Sequence, residues 1–360
     1  MSVNYTKYAP EFEVLLNGRA DAMFRQNIIS ISVAENLKEA AEFSFTVNDQ
    51  FDVDKQQFVW FDSKSLQPGN KLSIKMGYAE SLVEILREGI IENITTTGFT
   101  QAGSPQMTIS GYDSSKKWLN QQPSLGDNTT NQEITGSKLI AIIEAKFGLK
   151  KIVEDTKEIP TRITQNPTQT YGNILADQAK NIGWTFFVSR GTIYYINPRA
   201  NRKAALSFKW GKDLISLTPT INASQVSSGV RVRSPSRTSR EAIVAEATQS
   251  SEEQWENGTS ASDIASRMGQ ETREEIFPCS TQEEAEIRAR AALNNQGDNL
   301  LNCGGTIVGN PDLEIGQMIQ LDGLGNRFSG KYFVTHVRNQ ISQNGYLTTF
   351  SVRKNSIKEI

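Results

Sequence analysis

One histidine, two cysteines and forty acidic side chains are the raw material for chemistry in these 360 residues. His336 stands between Thr335 and Val337, so any Ser–His–Asp or Cys–His arrangement must use it. No G-x-S-x-G elbow accompanies it, and a lone histidine in a strand pattern reads as structural. Cys279 and Cys303 belong to no C-x-x-C pair and have no H-x-x-x-H partner, which argues against a zinc site and a disulfide scaffold. They read as free thiols of a reducing compartment. Glu252-Glu253 and Glu283-Glu284 are adjacent carboxylates, but they sit in polar helical stretches where a solvated face is the default. Gly323, Gly325 and Gly330 miss the G-x-G-x-x-G spacing and lead into a strand, whereas a dinucleotide site needs a helix N-terminus there. Gly136-Ser137-Lys138 lacks the upstream glycine of a phosphate loop and reads as a helix start. The residues therefore assign no catalytic, cofactor-binding or metal-binding position, and the chain reads as a non-enzyme.

The elements that carry these residues show a repeat. Pro68 to Gly111 and Ile315 to Val352 have one layout. Each opens with a glycine and a strand, at Gly69 and at Gly316. Each passes through a loop to a glycine that starts a second strand, at Gly89 and at Gly330. Each closes with a turn and a third strand, from Gly103 and from Gly345. Two β-meanders predict two similar antiparallel barrels, and three such chains would place six barrels in a ring.

Period-two alternation extends the first unit backwards: Phe12, Val14 and Leu16, then Ile29, Ile31 and Val33, then Phe43, Phe45 and Val47. The expected fold is mainly β with α+β insertions, divided as follows. Residues 1–115 form a first barrel and 116–205 a small α/β domain. Residues 206–235 and 301–360 form a discontinuous second barrel, with a helical, polar insertion at 236–300. In the α/β part, a helix ends at Gly148, a second follows Thr170 and stops at Gly183, and a hairpin turns at Ser189-Arg190-Gly191. In the insertion, Ser280 with Glu283 matches a capping box, and Ala285, Ala289, Ala292 and Leu293 line one helix face.

The net charge of −2, with 38 basic and 40 acidic residues, points to neither nucleic acid nor an anionic membrane as partner. The group Arg231, Arg233, Arg237 and Arg240 has no interleaved aromatics and reads as a solvated segment. No apolar run approaches the ~20 residues needed to span a bilayer, and Met1 to Pro10 has no signal-peptide pattern.

Gly309-Asn310-Pro311-Asp312-Leu313-Glu314-Ile315-Gly316-Gln317-Met318-Ile319-Gln320-Leu321 resembles the tail hub family of contractile phages, the late control protein D family. It is also similar to the N-terminal hub part of VgrG-type spike proteins of type VI secretion. Phe328 to Val334, Gly345 to Phe350 with Arg353, Thr170 to Val188, and Ile215 to Val232 continue the likeness in order, over about three quarters of the chain. The family often carries a histidine shortly after the second meander strand, a region that Asn339 occupies here.

The resemblance implies a homotrimeric baseplate hub whose two barrels per chain mimic six-fold symmetry. Such a hub joins a hexameric inner tube protein to a trimeric spike, contacts baseplate components and nucleates tube assembly. No cofactor is implied. The chain stops at Ile360 without an OB-fold or needle, so the resemblance implies a separate spike protein. It implies synthesis in a bacterial cytoplasm and incorporation into a phage tail or injection particle. Gly69, Gly89, Gly316, Gly330, Tyr332 and Tyr346 are its structural and interface signature here. The alternatives are a tail-tip cell-wall hydrolase or a surface-binding β protein, which need a catalytic pair or a row of exposed aromatics.

Overall fold

The computed structural model describes residues 9–79, 81–96, 105–123, 133–154, 159–162, 169–200, 203–235 and 242–358. Gly103, Arg237 and Arg240 lie outside them. The chain is mainly β, and its largest element is a sheet of 13 strands. Twelve of these matter here. The first six are β1 (Pro10–Leu16), β2 (Ile28–Asn36), β3 (Glu42–Asn48), β4 (Lys71–Tyr78), β5 (Ser81–Thr96) and β6 (Gln106–Asp113). The second six are β7 (Leu206–Lys209), β8 (Leu214–Ile221), β9 (Leu301–Val308), β10 (Met318–Asp322), β11 (Gly330–Ser342) and β12 (Gly345–Lys354).

Both meanders form as neighbouring antiparallel strands, β4-β5-β6 and β10-β11-β12. The duplication reaches further than the meanders. In the first unit the pairs are β1·β4, β4·β5, β5·β6, β6·β3 and β3·β2. In the second they are β7·β10, β10·β11, β11·β12, β12·β9 and β9·β8. Each strand has its counterpart six places on. Two of the irregularities match as well: register slips at Ile28/Ser30 and at Leu214/Ser216, and again at Ile91/Asn93 and at Val334/His336, whereas the slips around Ile74 in β4·β5 have no counterpart in β10·β11. Bulges of this kind bend and twist a strand, so their recurrence gives the two units a common curvature. The one reversal is that β1 runs antiparallel to β4 and β7 parallel to β10.

The two units are fused through β2 and β11, which pair antiparallel from His336↔Asn36 to Ile341↔Ile31. Each unit keeps its own core. The first contains Ile31, Phe43, Phe45, Ile74, Met76 and Ile109, the second Ile307, Ile319, Tyr332, Val337 and Phe350. Ile341 and Tyr346 cross the joint into the first core.

Several sequence expectations shift. β5 starts at Ser81, so Gly89 lies inside the strand, opposite Leu72 and Asp113. The register of β4·β5 slips around Ile74, which breaks the alternation that would have marked the strand's start. Gly229–Ser234, grouped by sequence with the second barrel, leaves the large sheet. It pairs with Ile243–Thr248 and Arg273–Ile276, and this small sheet packs on the helix α3 (Gln282–Gly297). The N-cap of α3 is Thr281, whose hydroxyl accepts from the Glu284 N–H, one residue later than the capping-box reading. Glu284 pairs with Arg288, whereas Glu286 accepts from Gln282.

Residues 116–205 contain α1 (Gly136–Phe147) and α2 (Tyr171–Asn181) on a sheet of Lys150–Val153, Thr192–Ile196 and Thr185–Ser189. Gly148 ends α1 in the left-handed conformation at φ 66°, and Thr170 caps α2 through the Asn173 N–H. No helix among the described residues is long and apolar enough to cross a membrane.

Candidate functional site

The sheet has one buried face and one wet face. Across the joint, side chains that alternate away from the cores fall in register. On β11 they are His336, Arg338 and Gln340, and on β2 Ser30, Ser32 and Ala34. On β3 they are Glu42, Ser44 and Thr46, on β6 Thr108, Ser110 and Tyr112, and on β5 Asn93 and Thr95. Arg338, Gln340, Ser32, Glu42, Ser44, Asn93 and Ser110 all line an open concavity of about 300 Å³. The Thr46 and Thr108 hydroxyls are hydrogen-bonded at 3.1 Å. The same rows continue through Thr349 and Ser351 on β12, Asn302, Gly304 and Thr306 on β9, and Ser216, Thr218 and Thr220 on β8. The result is a broad surface of hydroxyls and amides with few charges. It can hold water and offers weak, unspecific hydrogen bonds.

The groups that could do chemistry are engaged elsewhere. His336 lies at the edge of this face, its pKa lowered by burial and by the Arg338 charge, with Glu42 opposing. Burial pushes the Cys303 thiol up to about 11, out of the range of a reactive thiolate. Cys279 is also raised by burial. Glu252 accepts from the Ala261 and Ser262 N–H groups at 3.2 and 3.1 Å, which anchors the start of the helix Ala261–Arg267. A cleft of about 750 Å³ between the sheet and α2 is lined by Lys38, Glu39, Lys116, Asp177 and Lys180, without histidine or cysteine. Among the described residues no group of three His, Cys, Asp or Glu is placed to hold a metal.

The signature residues are scattered over the fold. Gly69, Gly316 and Gly330 have φ of 91°, 79° and 136°, the left-handed region that suits glycine. A Cβ on Gly316 would overlap the Phe187 ring, where the α/β hairpin meets the second core. Gly89 packs against Phe43. Tyr332 and Tyr346 are buried and donate to the Phe328 carbonyl at 2.6 Å and to Asn339 Oδ1 at 2.9 Å. Asn339 also accepts from Thr348, so a polar cluster is satisfied inside the core.

Sequence reading did not single out Glu35 and Arg190, although they sit where three parts meet. Glu35 is buried in β2 and faces Val337 of β11. Its Oε1 accepts from the Ser189 hydroxyl at 2.7 Å, while its Oε2 is buried without a partner. Burial pushes the Glu35 carboxyl up to about 7 against the opposing Arg190 charge. Arg190 bonds the Pro311 carbonyl at 2.7 Å and pairs with Glu314 at 2.8 Å. A glutamate amid apolar neighbours in a strand pattern was the available signal. A second buried node joins Arg199 to Asp298 at 2.5 Å, with Arg353 of β12 at 3.4 Å from the same carboxylate.

Residues 7–343 match the family model described as the Alg8 N-terminal domain, and the chain belongs to that family. No curated protein matches the chain. Among solved structures, the 43 kDa tail protein of prophage MuSo2 from Shewanella oneidensis is similar with a TM-score of 0.72. It is 16% identical, over 97% of this chain and 100% of that one. The tail protein from Neisseria meningitidis MC58 is similar with a TM-score of 0.69, at 13% identity and 97% coverage of both chains. The E. coli c3393 protein is described as a component of the type VI secretion system with structural similarity to T4 bacteriophage tail proteins gp27 and gp5. It is similar with a TM-score of 0.55 and 12% identity, over 92% of this chain and 74% of that one. The chain thus has the fold of phage-tail and type VI secretion proteins.

Proposed function

We propose that this member of the Alg8 N-terminal domain family is a structural hub of a phage tail or contractile injection particle. Three copies form a ring of six β units, with the hydroxyl-rich sheet face turned to the channel. One end of the ring receives a hexameric inner tube protein. The other receives a separate trimeric spike, and baseplate components surround it. The hub starts tube assembly by presenting six similar edges from three chains.

The observation that carries this reading is the strand-for-strand duplication, with matched bulges, inside one continuous sheet. An adaptor between symmetries needs two similar but non-identical surfaces per chain, and the duplication supplies them. The role is architectural: His336, Cys303 and Glu252 serve the fold. The divisions 1–115, 116–205, 206–235 with 301–360, and 236–300 serve as working units, amended where Gly229–Ser234 joins the insertion's sheet. Gly69, Gly89, Gly316, Gly330, Tyr332 and Tyr346 act on the interfaces from within, by fixing turns and packing the barrels. The protein is made in the cytoplasm and ends in the particle.

The test is co-assembly. Purified chain mixed with candidate tube and spike proteins of the same gene cluster should shift both into one complex and shorten the lag of tube polymerisation. A chain that binds neither protein, or leaves the lag unchanged, refutes the hub role.

A further inference from the structure

The joint inside the chain is one half of a repeating contact. β11 has two neighbours on its side away from β12. Its first part pairs with β10 and its second part, His336 to Ile341, with β2 of the other unit. β5 is the counterpart of β11. Its first part pairs with β4 as far as Ile90, and beyond the bulge Asn93, Ile94 and Thr95 pair with β6 on one side and, among the described residues, with no strand on the other. β8 is the counterpart of β2. Among the described strands it is terminal in the sheet and pairs with β9. Each unit therefore has one acceptor segment and one donor strand, and among the described residues the chain uses one of each.

The burial of matched residues shows what is missing. Aligning the bulges places Ser216–Asn222 on Ser30–Asn36, and Asn93–Thr96 on His336–Asn339. In β2, Val33, Ala34 and Glu35 are buried. Their counterparts Pro219, Thr220 and Ile221 are half-buried or exposed, with Ile221 39% exposed against 1% for Glu35. In β11, Val337 and Asn339 are buried, whereas Ile94 and Thr96 are half-buried and exposed. Exposed strand edges of this kind pair readily with a further strand.

We infer that β8 of one copy pairs antiparallel with the second part of β5 of the next, as β2 pairs with β11 within the chain. The copied register sets Ile221 opposite Ile94, Thr220 opposite Thr95 and Pro219 opposite Thr96. The contact is heterologous, head to tail, so it closes into a ring or grows into a filament according to its rotation. It rests on the hub reading for closure at three. Pro219 removes one donor from the edge, which discourages indiscriminate strand addition and leaves this joint with fewer possible ladder bonds than β2·β11.

Cysteine pairing tests the register in the full chain. Thr95→Cys with Thr220→Cys should give, under mild oxidation, a ladder of covalent oligomers ending in a closed trimer. Each single variant and the parent chain, which retains Cys279 and Cys303, should give none. Ile221→Lys changes a side chain exposed in the monomer, so it should leave folding intact and lower the light-scattering mass threefold, to the 40.0 kDa of one chain. A trimer without the 95–220 cross-link overturns this pairing and leaves the trimeric hub standing. A cross-linked ring of another size keeps the pairing and sinks the trimer. Cross-linking by either single variant means a symmetric contact and overturns the head-to-tail arrangement, as does a chain that stays monomeric.

Discussion

Replacing Glu35 with glutamine isolates the electrostatics of the joint between the two β units. The carboxyl is 1% exposed, and its pKa rises from 4.5 to about 7 because burial disfavours the charged form. The Ser189 hydroxyl and the Arg190 charge offset part of this, while Glu314 and Asp113 add to it. A folded-state value above the unfolded one means that the folded chain holds its proton more tightly. Its contribution to stability is fully present below pH 4.5 and is lost as pH rises through about 7. At about 1.4 kcal/mol per pH unit, the loss over that window is about 3 kcal/mol. Glu35→Gln keeps the shape and the acceptor for Ser189 but cannot ionise. Urea unfolding of both chains at pH 5 and pH 8 reads the difference. Relative to the variant, the parent chain should weaken by about 2.5 kcal/mol between the two conditions, because part of the loss has already occurred at pH 5. Parallel pH profiles would mean that Glu35 is already paired or hydrated, and the account of a costly buried carboxylate would fail.

Other consequences are simpler to check. Gly316→Ala forces a side chain onto φ 79° and into the Phe187 ring, and should cost about 2 kcal/mol or more by thermal or urea unfolding. Asp298→Ala removes the carboxylate that Arg199 and Arg353 share in a buried setting, so urea unfolding should show a loss of about 3 kcal/mol. Thr281→Ala should lower stability by about 1 kcal/mol. Ser280→Ala should change it little, because Ser280 contributes its backbone N–H to Glu284. In thiol titration of the native chain at pH 8, half-buried Cys279 should react first, and Cys303 only on unfolding.

The two meanders could be read from the chain because their signals are local. Glycine at Gly316, Gly330 and Gly345 satisfies positive φ at turns, and alternation such as Phe43, Phe45, Val47 marks one wet and one dry face. The helix ends at Gly148 and Thr170 were legible for the same reason: a cap is a contact within one turn. The one-residue error at Thr281 arose because Ser280 and Thr281 are both good caps, and only the fold decides which hydroxyl faces the first turn. The failure to see Gly229–Ser234 leave the sheet has a different cause. Its alternation shows that one face is buried, and it does not say which sheet buries it.

The sequence by itself determined that this is a mainly β chain with a duplicated meander, since hydrophobic period and turn glycines act within a few residues. Only the tertiary structure decided that six strands repeat and that β2 meets β11 some 300 residues away, with β8 terminal among the described strands. Strand partners are chosen by burial and bulge position across the whole sheet, and neither is written in any local stretch of the chain.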